Sequence, residues 1–531
     1  MAGHYSVKFE SNVALMMRDG TVTYADTVRP DIAGKVPGLL MRTPYDKSTA
    51  SSRSCTLDAI NAATQGYAVV IQDVRGRYQS EGVFYTFVNE IDDGYDSVEW
   101  VAKQPWCDGK VGMFGMSYHG ATQWLAAKSG HPSLAAIVPW FTASDYHEGW
   151  TWQGGAFELG FNLSWTLGPL TSANWANLSG RLHLPSDGLD SLIAAKDDLT
   201  TAYTTLPMSE MPHLKGDLAP YYYDWLAHPE YDEYWQTVCI EDSHPKIAVP
   251  ALNVGGWYDI FLGGTMSNFT GMRNLGATEH ARQGQRLVIG PWSHSGSPTS
   301  VAGEYNFGTR AGSAHMGLQA EMMRFYDYWL RGEENGVPDD RPIKIFVMGE
   351  NVWRYEDEWP LSRATNADYF LHSGGKANTL NGDGSLSNES PANGEPPDVY
   401  VYNPASPVPT VGGGLCCDPA FMAPGAYDHR WVESREDVLV YSTPPLDQDI
   451  EVTGPIIVTL YATTSAIDTD FSAKLVDVYP DGYARNLTDG IIRARYRRSR
   501  NAAELIQPGQ VYEYTIDLWA TSNLFKKGHL I

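Results

Sequence analysis

The 531-residue sequence has little of what marks a metalloprotein or a disulfide-rich protein. Its five cysteines are Cys55, Cys107, Cys239, Cys416 and Cys417, and only the last two lie close together. This spacing gives neither a disulfide framework nor a zinc-binding pattern. No sequence feature indicates another metal or an organic cofactor, so we expect neither.

The sequence also lacks the usual signals for a membrane. Residues 1–20 contain no basic region followed by an apolar stretch, so a secretory signal peptide is not expected. No later run approaches the roughly eighteen apolar residues that a transmembrane helix needs. We therefore expect a soluble, cytoplasmic protein without a membrane partner.

Positive charge is scarce relative to negative charge. Lys and Arg number 38 against 63 Asp and Glu, which gives a formal net charge of −25. Because nucleic acids and anionic membranes attract basic surfaces, this balance argues against both as partners. The chain is also longer than one hydrophobic core usually supports, which predicts two or three domains.

Apolar strands alternate with helical segments in much of the first 340 residues. Residues 5–29 predict two antiparallel strands joined at Asp19-Gly20. Continuous apolar runs without polar alternation predict a parallel sheet that helices cover on both faces. These runs lie at residues 37–42, 67–71, 111–114, 134–140, 249–254 and 286–289.

Two regions depart from that pattern. Between residues 144 and 241 many Trp and Tyr residues accompany helical patches, which predicts a helical cap inserted into the core. After residue 340, short alternating strands such as IKIFVMG, DVLVYST, PIIVTLYAT and FSAKLVDVYP predict an all-β sandwich, in jelly-roll form. The predicted fold is an α/β core (1–143 and 242–340), a helical cap (144–241) and a β-sandwich (341–531).

The stretch from Lys110 to Lys128 has the layout of a nucleophile elbow, which is a strand, a sharp turn and a helix. Ser117 lies at the turn, and Gly115 and Gly120 provide the small side chains that the strained backbone needs. The usual pattern is G-x-S-x-G, but here the second glycine comes one position late, after His119. The alternative is a glycine-rich turn whose serine caps the helix.

Two later strand ends carry the partners that a serine nucleophile requires. Ester hydrolysis by serine needs a base, a carboxylate that holds the base, and donors for the oxyanion. In α/β hydrolases the chain order is nucleophile, acid, histidine. Ser117, Asp259 and His294 occur in that order, each just past an apolar run. Taken singly, the aspartate could cap a helix and the histidine could be an ordinary loop residue.

Competing residues fit these roles less well. His119 is too close in sequence to the serine to swing over it as a base, and His147 belongs to the predicted cap. Asp73 also ends a strand, but Arg75 and Arg77 follow it, which favours a structural ion pair.

An oxyanion hole needs two donors. The N–H of Tyr118, the residue after the nucleophile, is expected to be one of them. No HGGG run supplies the second, but Tyr45 lies in the corresponding loop and its phenol is a plausible replacement. The alternative is a loop tyrosine packed beside Pro44.

Five motifs together resemble those of the X-prolyl dipeptidyl peptidase and cocaine esterase superfamily of serine hydrolases. The resemblance extends over nearly the whole chain, and it implies an α/β-hydrolase core, an inserted helical cap and a C-terminal jelly roll. It also implies Ser117, Asp259 and His294 as the triad, with Tyr45 and Tyr118 as oxyanion donors, and an elbow of the form G-x-S-Y-x-G. The motifs are Arg42–Lys47, Gln72–Arg77, Gly115–Gly120, Gly256–Asp259 and Gly290–His294.

The resemblance further implies an acyl pocket lined by Trp150, Trp165 and Phe261. Amino-acid ester hydrolases of the superfamily carry acidic residues just after the triad aspartate, whereas Ile260, Phe261 and Leu262 follow it here. We therefore do not expect specificity for amino-acid esters. The dipeptidyl peptidases carry extra N-terminal material, which makes peptidase activity the weaker expectation.

The sequence thus predicts a serine carboxylesterase that acts on small-molecule esters with a bulky aromatic or apolar acyl group, through an acyl-enzyme on Ser117. The alternatives are an amidase, an acylase or an X-prolyl dipeptidyl peptidase with the same triad. A non-catalytic binding protein is a third class, against which the complete triad argues. A homodimer stays open. Members of the superfamily have further sandwich strands after the residues that correspond to Lys526–His529, whereas this sequence stops at Ile531. The expectation is therefore either a chain truncated at its C-terminus or an incomplete sandwich.

Overall fold

The computed structural model describes residues 5–185, 187–214, 216–295 and 298–531. Within these ranges, no helix combines the length and the hydropathy that crossing a membrane requires. The strands of the first 356 residues are β1 (Val7–Met16), β2 (Val22–Pro30), β3 (Val36–Thr43), β4 (Ala68–Asp73), β5 (Cys107–Met116), β6 (Leu134–Trp140), β7 (Trp152–Gln153), β8 (Ala156–Phe157), β9 (Leu252–Tyr258), β10 (Arg286–Ser293), β11 (Val301–Ala302), β12 (Tyr305–Asn306), β13 (Ile343–Val347) and β14 (Val352–Glu356).

A ten-stranded sheet is the framework of this part of the chain. Its strand order is β1-β2-β4-β3-β5-β6-β9-β10-β13-β14. The strands from β4 to β13 run parallel, whereas β1, β2 and β14 pair with their neighbours antiparallel. Every residue of β4 and β9 is buried, which explains why these strands are continuous apolar runs in the sequence.

Helices cover both faces of the sheet, and the alternation of strand side chains assigns residues to the two faces. Leu39 and Met41 of β3 join one buried cluster, while Leu40 between them joins the other. The mixed α/β architecture with helices on both faces is therefore confirmed. The helices that precede the insert between β6 and β9 are α1 (Ala50–Arg53), α2 (Ala59–Thr64), α3 (Glu90–Ala102) and α4 (Tyr118–Ser129).

The insert between β6 and β9 is largely helical, as the sequence predicted. The hairpin of β7 and β8 opens it. Its helices are α5 (Leu159–Trp165), α6 (Trp175–Leu182), α7 (Gly188–Asp197), α8 (Leu199–Tyr203), α9 (Pro220–Ala227) and α10 (Glu233–Gln236). The helices that follow the insert are α11 (Leu262–Leu275), α12 (Glu279–Gln283), α13 (Ser313–Met316), α14 (Leu318–Tyr326) and α15 (Arg430–Glu433).

The C-terminal part is all-β apart from short helical turns. Its two long antiparallel pairs, β17 with β20 and β18 with β19, pack around Phe471, Tyr514, Ile516 and Leu518. This packing forms a β-sandwich core. The strands are β15 (Phe370–His372), β16 (Ser385–Ser387), β17 (Ile450–Ala462), β18 (Asp470–Val478), β19 (Ala484–Arg493) and β20 (Tyr512–Phe525).

The structure corrects three details of the predicted sandwich. The run IKIFV forms β13, which pairs parallel with β10 in the core sheet, so its assignment to the sandwich is wrong. Four of the five residues of β13 are buried, and Ile343 and Phe346 pack against residues of both the core and the sandwich. The run DVLVYST forms only isolated bridges, and the loop predicted at 374–397 contains β16. The boundaries predicted at 143/144 and 241/242 stay predictions.

Candidate active site

Three of the predicted site residues follow neighbouring strands of the core. Ser117 comes directly after β5 and Asp259 directly after β9, while His294 follows β10. Strands β5, β6, β9 and β10 are adjacent in the sheet and run parallel. Because the carboxyl ends of parallel strands meet at one edge, these three residues lie at the same edge of the sheet.

Ser117 occupies a strained turn between β5 and α4. Its backbone angles are φ 60° and ψ −125°, in a region that residues other than glycine rarely adopt. Its N–H donates to the carbonyl of Trp140 at 2.9 Å, and its carbonyl accepts from Gly120 and Ala121. Within the described residues its hydroxyl makes no capping hydrogen bond to α4, so the serine does not act as a simple helix cap.

The two glycines that flank the serine are required by close contacts. A Cβ on Gly115, where φ is 124°, would lie 2.4 Å from the Cβ of His119. A Cβ on Gly120 would lie 2.8 Å from the Cβ of Thr142. Gly120 is therefore the position where α4 packs directly against the segment after β6. The preceding position, where G-x-S-x-G has its second glycine, can hold the larger side chain of His119.

Asp259 and His294 are joined directly. The Nδ1 of His294 lies 2.6 Å from Oδ1 of Asp259, and both side chains are almost completely buried. The other carboxylate oxygen accepts the N–H of Phe261 at 3.1 Å. A hydrogen bond at Nδ1 fixes the orientation of the imidazole and leaves Nε2 to act as a base.

The imidazole and the serine turn share a neighbour. The ring of Phe141 has its centroid 6.0 Å from that of His294. Phe141 directly follows Trp140, whose carbonyl accepts the Ser117 N–H. The structure therefore brings the Asp259–His294 pair to the part of the sheet edge where the serine turn lies.

Tyr45 lies in the loop of residues 44–47, which follows β3 and is called the Tyr45 loop below. Its hydroxyl accepts a hydrogen bond from Nε1 of Trp165 at 3.0 Å. Because an indole N–H can only donate, the proton of the phenol is left for another acceptor. Burial raises the pKa of Tyr45, while hydrogen bonds with Trp165 and Ser117 and the charge of Arg77 oppose that rise. The phenol thus stays protonated beside the serine.

His119 supports the Tyr45 loop, a role that sequence reasoning missed. Its Nε2 lies 2.8 Å from Oγ1 of Thr43, which in turn accepts the N–H of Tyr45 at 3.0 Å. Its ring also meets the ring of Tyr45 edge-on at 5.3 Å. Burial lowers the pKa of His119 to about 4, so the imidazole is neutral. Only the presence of Thr43 in the Arg42–Lys47 motif hinted at this contact.

Tyr118 is the first residue of α4. The N–H groups in the first turn of a helix have no carbonyl of that helix to bind, which is what an oxyanion donor requires. Its own hydroxyl is occupied elsewhere, because it donates to Oε1 of Glu90 at 3.0 Å and accepts the N–H of Phe87 at 2.9 Å. These bonds anchor the start of α4 to α3.

The three aromatic residues predicted for the acyl pocket form one continuous wall. Trp150 stacks on Phe261 with centroids 4.1 Å apart and an interplanar angle of 10°. Trp165 meets Trp150 at 5.6 Å. The wall extends from Tyr45, which bonds to Trp165, to His294, whose ring lies 5.1 Å from that of Phe261. The structure therefore brings all three together beside the other predicted site residues.

Asp73 has a structural role, but the predicted partners are wrong. Its carboxylate accepts from the N–H of Lys47 at 2.7 Å and from Nζ of Lys47 at 3.2 Å. Arg75 instead pairs with Asp93 and Asp19, and Arg77 donates to backbone carbonyls. Burial raises the pKa of Asp73 to about 6. The buried Lys47 was the residue that sequence order could not connect to it.

The remaining candidates lie outside this constellation. His147 is buried in the insert, where its Nε2 contacts the carbonyl of Pro229 at 2.9 Å. Cys416 and Cys417 form a disulfide between adjacent residues, which the sequence analysis did not predict. Across the ranges that the structure describes, no group of three or more His, Cys, Asp or Glu residues could hold a metal ion.

Comparison with known proteins connects this geometry to characterised relatives. Residues 19–296 match the X-Pro dipeptidyl-peptidase S15 family, and residues 335–531 match the X-Pro dipeptidyl-peptidase C-terminal non-catalytic domain. The cocaine esterase of Rhodococcus sp. (strain MB1 Bresler) is 40% identical over 538 aligned positions, which cover 100% of this chain and 90% of that protein.

Solved structures agree in fold. An α-amino acid ester hydrolase is 27% identical with a TM-score of 0.77, and the match covers 100% of this chain and 89% of that one. An aminopeptidase from a marine sediment archaeon, Thaumarchaeota archaeon, is 26% identical with a TM-score of 0.78, covering 100% and 88%. Both similarities extend over the core, the insert and the β-sandwich.

Proposed function

Because this chain belongs to the X-Pro dipeptidyl-peptidase S15 family, we propose that it is a serine carboxylesterase whose acyl-enzyme forms on Ser117. The observation that carries the proposal is the 2.6 Å contact between His294 and Asp259 at the sheet edge where the serine turn lies. The 40% identity of this chain to a cocaine esterase supports ester hydrolysis over the alternatives with the same triad.

In the proposed mechanism the Oγ of Ser117 attacks the carbonyl carbon of the ester while Nε2 of His294 takes the serine proton. Asp259 holds the imidazole and stabilises the imidazolium that forms. The tetrahedral oxyanion is bound by the Tyr118 N–H and the Tyr45 hydroxyl. His294 then gives the proton to the departing alcohol, and a water molecule activated by the same histidine releases the acid.

The substrate class follows from the chemistry of the wall. Trp150, Trp165 and Phe261 are buried rings of one aromatic cluster that reaches His294. We propose that this apolar environment favours a bulky aromatic or apolar acyl group. Ile260 and Phe261 follow the aspartate, so the positions directly after it offer no carboxylate for a substrate ammonium group. A small-molecule ester with an aromatic acyl group therefore fits this site better than an amino-acid ester.

Parallel assays with p-nitrophenyl benzoate and the corresponding p-nitroanilide test this proposal. We expect a burst of p-nitrophenol and steady turnover of the ester, with much slower cleavage of the anilide. Ser117→Ala should abolish both phases. The control is Ser129→Ala, at the other end of α4, which should keep the activity of the parent protein. Undiminished turnover in Ser117→Ala would end the proposal.

A further inference from the structure

Arg77 is a buried cation that bonds to backbone carbonyls. Its guanidinium is fully buried, and among the described residues no carboxylate forms an ion pair with it. Nε donates to the carbonyl of Pro44 at 2.7 Å, Nη1 to that of Leu170 at 2.5 Å and Nη2 to that of Pro169 at 2.7 Å. Burying a charge in this way is costly, so a residue that only filled space would not need it.

The three carbonyls belong to two segments that meet at Tyr45. Pro44 directly precedes Tyr45 in the Tyr45 loop. Pro169 and Leu170 lie in the π-helical turn Thr166–Thr171, which continues directly from Trp165. Trp165 is the residue whose indole donates to the Tyr45 hydroxyl at 3.0 Å. One guanidinium therefore holds both the backbone beside the phenol and the backbone beside the group that orients the phenol.

The charge of Arg77 also affects Tyr45. Its positive field lowers the pKa of Tyr45 against the effect of burial. The rings of Phe84 and Tyr78 lie 5.0 and 5.3 Å from the guanidinium carbon. These aromatic contacts do not neutralise the charge of Arg77.

Neutral hydrogen bonds attach the residues on either side of Arg77 to the insert. The N–H of Tyr78 donates to Oδ1 of Asn174 at 2.9 Å, and Nδ2 of Asn174 donates to the carbonyl of Gly76 at 3.2 Å. Nδ2 of Asn177 donates to the carbonyl of Tyr78 at 3.1 Å. None of these bonds touches the Tyr45 loop, which makes them a natural control for docking alone.

We propose that Arg77 is a positioning residue that fixes the Trp165 segment against the Tyr45 loop, so that the Tyr45 phenol points its proton at the oxyanion. This inference rests on the proposed esterase function. Arg77 is fully buried and bonds to backbone carbonyls on both sides of the phenol, so it acts on the reaction through Tyr45. Its effect should therefore appear in kcat and should depend on whether the phenol is present.

A double-mutant cycle of Arg77→Met and Tyr45→Phe tests this dependence. The substrate is p-nitrophenyl acetate, whose acyl group is too small to depend on the aromatic wall. We expect Arg77→Met to lower kcat by roughly 10- to 100-fold, since misplaced groups and lost oxyanion donors have effects of that size. KM should change by less than about threefold. In the Tyr45→Phe background, Arg77→Met should cost less than about threefold in kcat.

Two further variants make the result decisive. Arg77→Lys keeps the charge but cannot bond three carbonyls at once, so it should lose most of the same kcat, and it replaces Arg77→Met in the cycle if that variant fails to fold. Asn177→Ala removes a neutral docking bond and should leave kcat within about twofold. Additive effects in the cycle, or a kcat for Arg77→Lys equal to that of the parent, would overturn the inference. A parent protein without esterase activity would instead refute the proposed function.

Discussion

The proposed active site has two halves that are built differently. The acid–base half, Asp259 and His294, directly follows two adjacent parallel strands of one sheet and is joined by a side-chain hydrogen bond of 2.6 Å. The oxyanion half centres on Tyr45, and its hydroxyl depends on Trp165 from the helical insert, 120 positions along the chain. The acid–base half is built from residues of the core alone, whereas the oxyanion half combines core residues with a hydrogen bond from the insert.

This difference has a functional consequence. A rigid sheet edge presents the base in one geometry, because neighbouring strands cannot shift without breaking the ladder between them. The oxyanion half can be adjusted by any change that moves the insert relative to the core. We therefore expect the largest catalytic losses from substitutions in the acid–base half and graded losses from those in the oxyanion half.

Asp259→Asn should cause the largest effect of the substitutions that test this comparison. The amide can hold the imidazole only in the wrong tautomer, so kcat should fall by about 10⁴-fold. Steady-state kinetics with p-nitrophenyl benzoate at pH 8 measures it.

The matched variant is Asp73→Asn, which changes another buried strand-end aspartate. We expect less than about a tenfold loss of kcat, together with a loss of stability on the order of 3 kcal/mol, because the buried Lys47 loses its counter-ion. Equal losses of kcat in Asp73→Asn and Asp259→Asn would contradict the assignment of the acid.

Tyr45→Phe should have an intermediate effect. Removing one oxyanion donor typically lowers kcat by about 10²- to 10³-fold, and KM should change little because the donor acts mainly in the transition state. Tyr203→Phe is the control, since that phenol donates to the carbonyl of Gly160 within the insert at 2.9 Å. A rise in KM with unchanged kcat in Tyr45→Phe would contradict the assignment of the phenol as an oxyanion donor.

The smallest effect on kcat is expected at Glu158, where the change concerns stability. Burial, followed by repulsion from Asp489 and Glu148, raises the pKa of Glu158 from 4.5 to about 8. The folded protein therefore keeps a proton that the unfolded chain loses, and stability should fall as the pH rises from about 4.5 to about 8. Glu158 directly precedes α5, the helix that ends at Trp165.

Glu158→Gln removes this penalty. The difference in Tm between the variant and the parent should be near zero below pH 4.5 and should be largest, in favour of the variant, above pH 8. Thermal unfolding across this range measures it, with the exposed Glu233→Gln in α10 as the control. A pH-independent difference would show that Glu158 is not the group responsible.

The same two halves explain what the sequence could predict. Ser117, Asp259 and His294 each follow an apolar run, and the ends of parallel strands converge, so their positions at one edge followed from local patterns. The strand β13 was misassigned because a short strand in a core and one in a sandwich have similar patterns. Burial on both faces, which distinguishes them, is a property of the folded chain.

The contacts of the oxyanion half were not accessible in this way. Trp165 was expected in the acyl pocket, but its hydrogen bond to Tyr45 depends on how the insert folds back over the core. Arg77 was expected to form an ion pair near Asp73, whereas it bonds to carbonyls of two distant segments. Spacing in sequence carries no information about carbonyl partners, which every residue offers equally.

A crystal structure of the protein after reaction with an aryl phosphonate ester would test the central claim most directly. The account predicts phosphorus bonded to Oγ of Ser117, with one phosphoryl oxygen within about 3 Å of both the Tyr118 nitrogen and the Tyr45 hydroxyl. It also predicts Nε2 of His294 within hydrogen-bonding distance of the Ser117 oxygen. A phosphonate on another residue, or an imidazole that reaches neither the serine nor Asp259, would contradict the proposed site.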